Sequence, residues 1–278
     1  MKSKKIKIKA YAKVNLFLKI TGIREDGYHI LSSTMQTISL YDSILVKKSD
    51  KLLCLCGDIP SEKNIAYKAV RALEDVSGKK LPVIIKIKKR IPDKAGLGGG
   101  SADAAAVMKA VISLYDLRLS KKEIVLAAEK AGADVPFFMY GGTAFCGGIG
   151  EVVKKRPSLP PCYILIAKPS AGNSTPEMFK AFDNQGEIGK CKDRKFTAAL
   201  KRGNLRKISA CLENALTPFD ISGEVKPLKE KLLSLSALGA EMSGSGTAVF
   251  AIFDDKKRAK TAAKELKKDY KVFLTKPI

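Results

Sequence analysis

The sequence has no tryptophan, only one histidine and no C-x-x-C pair. A structural zinc site is therefore not expected, and a disulfide framework is unusual in a chain of 278 residues. We expect reduced, buried thiols in a cytoplasmic protein. The six cysteines are scattered along the chain, at Cys54, Cys56, Cys146, Cys162, Cys191 and Cys211.

Long apolar runs are also missing. The longest, such as Ile164 to Ala167 and Ala248 to Phe253, fall far short of the roughly 18 residues that a membrane span requires. Residues Met1 to Ala10 alternate lysine with isoleucine or alanine and are followed by no apolar segment of the kind found in signal peptides. We expect a first β-strand there, and no membrane partner.

Acidic residues are few. Lysine and arginine outnumber them by 51 to 28, and the resulting formal charge of +23 raises the possibility of a nucleic-acid partner. The excess is spread over residues 86–90, 190–207 and 256–268, without the interleaved aromatics that stack on bases. We therefore expect no nucleic-acid partner, although such a charge would attract a nucleoside triphosphate.

The patterns that are present indicate an α+β protein. Alternation of apolar and polar residues predicts strands at Lys5 to Leu18 and Pro82 to Lys88. Helical spacing and end signals predict further elements, namely helices at Ser61 to Val76 ending at Gly78, at Ile124 to Ala131 after a Ser120/Glu123 capping box, at Val225 to Leu238 and at Lys256 to Lys268, and strands at Cys162 to Ala167 and Ala248 to Phe253. A proline-rich break at 156–161 predicts two domains, 1–157 and 158–278.

A glycine-rich loop from Pro92 to Ala106 joins the Pro82 strand to an alanine-rich helix. Four glycines within residues 96–100 leave backbone N–H groups bare, and Ser101 is placed to cap the helix whose positive end points the same way. This combination predicts a phosphate cradle. No Gly-Lys-Ser/Thr occurs, so a P-loop is excluded; a dinucleotide fingerprint fits poorly, and a plain flexible connector stays open as an alternative.

Two further segments are ambiguous by themselves. Ala240 to Thr247 is rich in small residues before a strand, which permits close backbone approach but is a weak signal. Asp134 follows a helix end and precedes Pro136, where an aspartate more often forms a turn than acts as a base.

Taken together, the motifs resemble the GHMP kinase superfamily and, within it, the kinases of 4-diphosphocytidyl-2-C-methyl-D-erythritol. The similarity runs from about residue 8 to about residue 255. The segments that carry it are Ala12 to Leu16, Gly22 to His29, Leu40 to Asp42, Gly96 to Ser101, Gly132 to Phe138, Gly148 to Glu151 and Met242 to Gly246.

The resemblance implies a two-domain α+β GHMP kinase fold, with an N-terminal domain like domain 2 of ribosomal protein S5 and a ferredoxin-like C-terminal domain. It implies transfer of phosphate from ATP, with Mg²⁺, to the 2-hydroxyl of the erythritol part of the substrate, giving ADP, in non-mevalonate isoprenoid synthesis. The protein would be a monomer or homodimer, and no magnesium ligand can be named.

Site residues follow from the resemblance position by position. Asp134 matches the catalytic aspartate and Lys13 the lysine paired with it; phosphoryl transfer needs a carboxylate near the hydroxyl and cations for the moving charge. The positions matching substrate contacts are Asn15, Tyr28, His29, Thr175 and Phe179. Those matching ATP contacts are Asn64, Lys89, Pro92, Asp93, Lys94, Ala95, Gly96, Leu97, Gly98, Gly99, Gly100, Ser101 and Ala102.

Two positions depart from the family pattern. Ser101-Ala102 replaces Ser-Ser, and Asn214-Ala215 replaces Asn-Asp. Two alternatives stay open. One is another GHMP kinase of the homoserine or mevalonate type, and the Tyr28-His29 pair argues against it because those substrates carry no base to stack. The other is a basic nucleic-acid-binding protein on a kinase fold.

Overall fold

The computed structural model describes residues 4–189 and 193–278 and mixes helices with strands, which confirms the predicted α+β class. The chain contains two compact units, each built from several segments. The first unit comprises the chain up to Ala12 together with Leu40–Ile91 and Gly98–Gly141, and the second comprises Lys13–Ser39, Pro92–Leu97 and the chain from Gly142 onward. The predicted boundary after residue 157 stays a prediction.

The first unit is a four-stranded sheet with four helices. It contains the first part of β1 (Lys5–Ile23), the last part of β2 (His29–Lys48), β3 (Leu53–Leu55) and β4 (Val83–Lys88), in the order β3-β4-β2-β1. β2 is antiparallel to β4 and β3 is parallel to it. The helices are α1 (Ile65–Ser77), α2 (Gly99–Tyr115), α3 (Lys121–Ala131) and α4 (Val135–Tyr140).

The sheet of the first unit is covered on one face only. Along β4, Val83, Ile85 and Ile87 are buried, whereas the alternate positions are partly buried at Ile84 and exposed at Lys86 and Lys88. Since successive side chains of a strand point to opposite faces, the helices lie against the apolar face and the lysine face is open. The period-2 pattern that predicted β4 is thus the pattern of a half-buried strand.

Helix ends in this unit follow their local signals. The predicted Ser120/Glu123 capping box is confirmed, and Gly78 ends α1 in the left-handed conformation at φ +64°. The predicted start of α1 at Ser61 is wrong. Ser61–Lys63 forms a 3₁₀ turn, and α1 begins only at Ile65 because the Asn64 side chain accepts a hydrogen bond from Ala66 N at 2.9 Å.

The second unit contains a four-stranded antiparallel sheet in the order β11-β7-β10-β9. Its strands are β7 (Tyr163–Lys168), β9 (Gly239–Met242), β10 (Val249–Phe253) and β11 (Lys271–Thr275). Its helices are α5 (Thr175–Gln185), α6 (Arg194–Lys201), α7 (Leu205–Ser209), α8 (Val225–Ser234) and α9 (Lys256–Leu266). The remaining strands are β5 (Thr143–Gly148), which pairs with β2 and with β6 (Val152–Lys155), and β8 (Glu213–Asn214), which runs parallel to β1.

All five residues of β10 are buried, and Phe253, Val249 and Ala251 join the core that α8 and α9 cover. The strands predicted at Cys162 to Ala167 and Ala248 to Phe253 are confirmed to within one residue. The helix predicted to run to Leu238 is shorter, because Ser236 adopts φ +68° and Leu238 N turns to donate to Ile252 O at 2.8 Å.

The cysteines behave as small apolar residues where they are described. Cys54, Cys56, Cys146 and Cys162 are buried, Cys211 is partly exposed, and none of these five forms a disulfide. Burial raises the pKa of the Cys54 and Cys162 thiols to about 12, which keeps them protonated. Cys191 lies outside the described residues. Among the helices that are described, none has the length and apolar character needed to cross a membrane.

Candidate active site

The first half of the glycine-rich loop packs against the small-residue segment Ala240 to Thr247, which is called the third motif below. Gly96 has φ +67°, and a Cβ at this position would lie only 1.7 Å from the carbonyl oxygen of Ser243. The Ser243 hydroxyl donates to Gly96 O at 2.8 Å. Any side chain at position 96 would therefore push the two backbones apart. The small residues at 240–247, a weak signal in the sequence alone, form the surface that this close approach requires.

Lys13 and Asn15 lie on one face of β1, as their i, i+2 spacing predicts. Lys13 is 3% exposed and its ammonium group donates to Asn15 Oδ1. Asn15 Nδ2 donates in turn to Ser33 Oγ at 2.9 Å, and the backbone N–H of Asn15 donates to Ser243 Oγ at 3.3 Å. A Cβ on Gly244 would lie 3.3 Å from the Lys13 ammonium, so this cation is held against the third motif.

Asparagine side chains fix the backbone of the third motif. Asn214 Nδ2 donates to Met242 O at 2.9 Å and to Gly244 O at 2.8 Å, while its Oδ1 accepts from Leu216 N. Asn173 Nδ2 donates to Ser245 O at 3.2 Å. Neither role was predicted from the sequence, because their partners lie 28 to 72 residues away. The departure Asn214-Ala215 leaves this anchoring asparagine intact.

The second half of the glycine-rich loop opens α2. Gly98 is the N-cap at φ +68°, and Ala102 N is the first to bond back, to Gly98 O at 2.9 Å. The N–H groups of Gly99, Gly100 and Ser101 have no carbonyl partner within the helix, and the helix dipole adds positive potential there. The predicted cap at Ser101 is wrong, since this residue lies inside the first turn. The start of the helix is nevertheless suited to bind an anion.

Lys89 lies beside this helix start, held by two carboxylates. Its ammonium group donates to Asp42 Oδ2 at 2.6 Å and to Asp103 Oδ2 at 2.8 Å, and a Cβ on Gly99 would lie 3.3 Å from it. Asp42 is fully buried and also accepts from the backbone N–H groups of Arg90 and Ile91. Neither acid was predicted, because Asp103 stands in an alanine-rich helix that is buried on most sides.

In the cluster of Lys89, Asp42 and Asp103, called the Lys89 clamp, the pKa values of Lys89 and Asp103 both rise, for different reasons. Burial acts to lower the pKa of Lys89, but Asp103 and Asp42 outweigh burial and raise it above its usual range. Burial raises the pKa of Asp103 to about 7, against the opposing attraction of Lys89. The other oxygen of Asp103, Oδ1, is buried and has no hydrogen-bond partner. Lys89 therefore stays charged, and Asp103 is the member of the clamp that can take up a proton near neutral pH.

Asp134 occupies the turn between α3 and α4. It stands at the N-cap position of α4, but its side chain does not bond to the helix N–H groups. The turn is fixed by Val135 N donating to Gly132 O at 3.0 Å and by the buried rings of Phe137 and Phe138. The turn that carries the carboxylate is thus held by a backbone hydrogen bond and by buried packing. Asn64, one of the predicted ATP contacts in this unit, is the N-cap of α1, and its side chain accepts a hydrogen bond from Ala66 N.

The predicted base-binding residues lie together in the second unit. The His29 ring stacks on Phe179 of α5 with centroids 4.6 Å apart, and its Nε2 lies 2.6 Å from Asp183 Oδ1. Tyr28 is 61% exposed. At 4.6 Å the two stacked rings leave no space for a base between them, so an incoming base would use Tyr28 or the other face of Phe179. Asp183 was not predicted; it orients the imidazole.

Thr175 opens α5 and contacts the third motif through a hydrogen bond of 2.7 Å between its hydroxyl and that of Ser245. The structure thus joins the predicted substrate residue Thr175 to the segment that also meets Gly96 and Lys13. Among the described residues no cluster of three His, Cys, Asp or Glu side chains could hold a metal by itself. A magnesium ion would need phosphate oxygens for most of its ligands.

Two family models match the chain: the GHMP kinase N-terminal domain over residues 64–142 and the GHMP kinase C-terminal domain over residues 196–272. Curated relatives are similar over nearly the whole chain. A 4-diphosphocytidyl-2-C-methyl-D-erythritol kinase of Clostridium botulinum is 39% identical, covering 98% of this chain and 99% of the relative, and one of Clostridium kluyveri is 41% identical with the same coverage.

Solved structures are similar as well. A crystal structure of a 4-(cytidine 5'-diphospho)-2C-methyl-D-erythritol kinase matches with a TM-score of 0.83 and 32% identity, covering 98% of this chain and 99% of the other. A homoserine kinase from Cytophaga hutchinsonii matches with a TM-score of 0.78 at 21% identity, covering 99% and 95%; at that identity it shows the fold alone. The similarity therefore extends over both the fold and the full length.

Proposed function

The chain belongs to the GHMP kinases and, among them, to the family of the 4-diphosphocytidyl-2-C-methyl-D-erythritol kinases, and from this premise we propose that it transfers the γ-phosphoryl group of ATP to the 2-hydroxyl of 4-diphosphocytidyl-2-C-methyl-D-erythritol. The single observation that supports this best is full-length identity of about 40% to curated kinases of this substrate. The geometry of the candidate site agrees with what such a reaction needs.

ATP binding is assigned to the start of α2 and to the Lys89 clamp. Three N–H groups at Gly99, Gly100 and Ser101 and the helix dipole favour phosphate, and Lys89 adds a permanent positive charge next to Gly99. Mg²⁺ would accompany ATP and would supply charge neutralisation for the phosphates. Gly96, packed on Ser243, fixes where the other end of the loop lies.

The chemical step is assigned to Lys13 and Asp134. A bond forms between the substrate hydroxyl oxygen and the γ-phosphorus, the bond from that phosphorus to the leaving oxygen of ADP breaks, and the hydroxyl proton passes to the Asp134 carboxylate. Lys13 supplies positive charge for the phosphoryl oxygens. Its buried position and its hydrogen bond to Asn15 keep the ammonium group fixed, so little reorganisation is needed during the reaction.

Recognition of the cytosine is assigned to Tyr28, His29 and Phe179. An exposed tyrosine ring offers a face to the base, and the Asp183-bound histidine fixes the neighbouring ring of Phe179. Substrates of other GHMP kinases that carry no base could not use this cluster. The cluster therefore favours a cytidyl substrate over homoserine or mevalonate.

The test is ADP release by the purified protein with ATP, Mg²⁺ and 4-diphosphocytidyl-2-C-methyl-D-erythritol. We expect turnover that depends on the cytidyl substrate and a kcat lowered about 10²- to 10⁴-fold in Asp134→Asn. Asp75→Asn, which removes an exposed carboxylate of α1, is the matched control and should leave kcat unchanged. No turnover with this substrate would overturn the specific function and make homoserine and mevalonate the next acceptors to assay.

A further inference from the structure

The open face of the first unit's sheet brings together lysines that lie in separate segments of the sequence. Lys7 and Lys9 of β1 and Lys86 and Lys88 of β4 line a groove of about 660 Å³, with Leu45 of β2 in its floor. Ser43 and Leu45 of β2 pair directly with Lys88 and Lys86 across the strands. These four lysines are exposed, and among the described residues none of them forms an ion pair.

Within residues 4–189 and 193–278, no acidic side chain lines this groove. The positions of β1, β2 and β4 that share its face are lysine, tyrosine, serine, leucine and isoleucine, and Asp42, the acid within these strand segments, is fully buried with Lys89 on the opposite side. By strand alternation, Lys5 and Lys47 extend the same face. The face therefore carries a positive potential that nothing within it offsets.

An aromatic pair lies at one end of the groove. The rings of Tyr11 and Tyr41 meet edge to face with centroids 5.5 Å apart, and the ammonium group of Lys9 lies 4.4 Å from the centre of the Tyr41 ring. Both tyrosines are partly exposed. The basic segments of the sequence contain a single aromatic residue, the buried Phe196, but β1 and β2 bring two tyrosines beside the lysines.

We propose that this open face binds single-stranded nucleic acid, with the lysines following the phosphate backbone and Tyr41 and Tyr11 offering a surface on which a base stacks. Rows of positive charge beside aromatic rings on an exposed sheet are the arrangement that single strands use. A second copy of the chain would meet its own positive charge, which repels it. A lipid surface would require several protruding apolar anchors, but Leu45 is only partly exposed and Leu55, which pairs with Lys86 and is 44% exposed, is a single apolar side chain at the sheet edge.

The number of lysines sets the size of the expected salt effect. For a single strand the logarithm of the association constant falls by about 0.7 per neutralised phosphate for each unit of log salt concentration. If Lys7, Lys9, Lys86 and Lys88 each neutralise one phosphate, raising the salt fourfold weakens binding by about 50-fold. A bound base stacked on Tyr41 contributes about 5- to 150-fold in affinity, judged from alanine substitutions in other proteins.

The experiment measures fluorescence anisotropy of a labelled 20-nucleotide single-stranded RNA with the full-length protein at 50 and 200 mM salt. The sheet-face variant carries Lys7→Gln, Lys9→Gln, Lys86→Gln and Lys88→Gln. The matched control carries Lys256→Gln, Lys257→Gln, Lys260→Gln and Lys264→Gln on α9, which removes the same charge from another exposed surface. We expect the sheet-face variant to weaken binding about 30-fold or more and to flatten the salt dependence, and the α9 variant to weaken it only a few-fold.

Competition and a single substitution complete the test. Tyr41→Leu should weaken RNA binding at least fivefold. Both charge variants should keep the far-ultraviolet circular dichroism of the parent protein, which shows that they are folded. Equal losses in the sheet-face and α9 variants would overturn the proposal, because binding would then follow net charge alone. Displacement of the RNA by polyglutamate or anionic vesicles at equal charge concentration would overturn it in favour of an acidic protein or a membrane. Kinase turnover should be unchanged in the sheet-face variant, so a loss of RNA binding in this variant tests the open face independently of the proposed kinase function.

Discussion

Lys89 and its neighbours Lys86 and Lys88 stand on or next to one strand and have opposite surroundings. Lys89 turns to the helix-covered side, where Asp42 and Asp103 bind it at 2.6 and 2.8 Å. Lys86 and Lys88 turn to the open face and have no carboxylate in their groove. Strand alternation, not residue type, therefore decides whether a lysine here becomes part of a buried charge cluster or of a binding surface.

The largest difference between the two sides should appear in stability. Lys89→Met leaves Asp42 and Asp103 buried without their cation, and breaking such a pair costs about 3 to 5 kcal/mol of unfolding free energy. Lys88→Met is the matched control and should change it by less than about 0.5 kcal/mol. Urea denaturation of both variants measures this. Equal effects of the two substitutions would mean that the clamp does not stabilise the fold.

The pH dependence of the free energy of unfolding should show whether Asp103 holds a proton in the folded protein. Its pKa is about 7 in the folded chain against 3.8 as a free side chain, so the folded protein holds the proton more tightly. Its contribution is then complete below pH 4 and is lost as the pH rises through 7, with a slope of at most about 1.4 kcal/mol per pH unit. Relative to Asp103→Asn, the parent protein should lose unfolding free energy from pH 4.5 to pH 7.5. Parallel curves for the two proteins would contradict the assignment.

A smaller effect is expected on ATP binding. Asp103→Asn removes one ionic tether of Lys89 beside Gly99, so we expect KM for ATP to rise about tenfold, or about 1.4 kcal/mol, with kcat within about twofold. The Lys88→Gln control should leave both constants unchanged. A fall in kcat with constant KM would place Asp103 in the chemical step instead of in ATP binding.

The smallest effect is expected on the open face. Lys86→Gln combined with Lys88→Gln removes two exposed charges without a partner, so the free energy of unfolding should change by less than about 0.5 kcal/mol. Thermal unfolding at 50 and 500 mM salt is the measurement. A destabilisation of more than 1 kcal/mol would show that these lysines have a structural partner and would remove the contrast with Lys89.

The parts of the fold that could be predicted are those fixed by short-range signals. The alternation of β4, the Ser120/Glu123 capping box and Gly78 each depend on neighbours within a few residues. The glycine-rich loop was visible for the same reason. The resemblance to a family supplied Lys13 and Asp134, which no local pattern distinguishes from an ordinary strand lysine or turn aspartate.

The parts that could not be predicted depend on partners far along the chain. Asp183 meets His29 across 154 residues, and Asp42 meets Lys89 across 47. The helical spacing around Asp103 gave no indication of an ion pair, because the partner that makes its burial possible, Lys89, lies outside the helix on the other side of the glycine-rich loop. Likewise, the β1 lysines Lys7 and Lys9 lie more than 70 residues from the β4 lysines Lys86 and Lys88 in the sequence and share a face only through sheet order.

The packing of Gly96 on Ser243 also has a consequence for the order of events during synthesis. The contact spans 147 residues, and a pairing of that length forms late because the intervening chain must be closed first. Until residues 239–253 have left the ribosome, the segment around Gly96 has no Ser243 to pack against. A nascent chain that has already folded its first helices would therefore still lack support for the Gly96 side of the glycine-rich loop until residues 239–253 have been made.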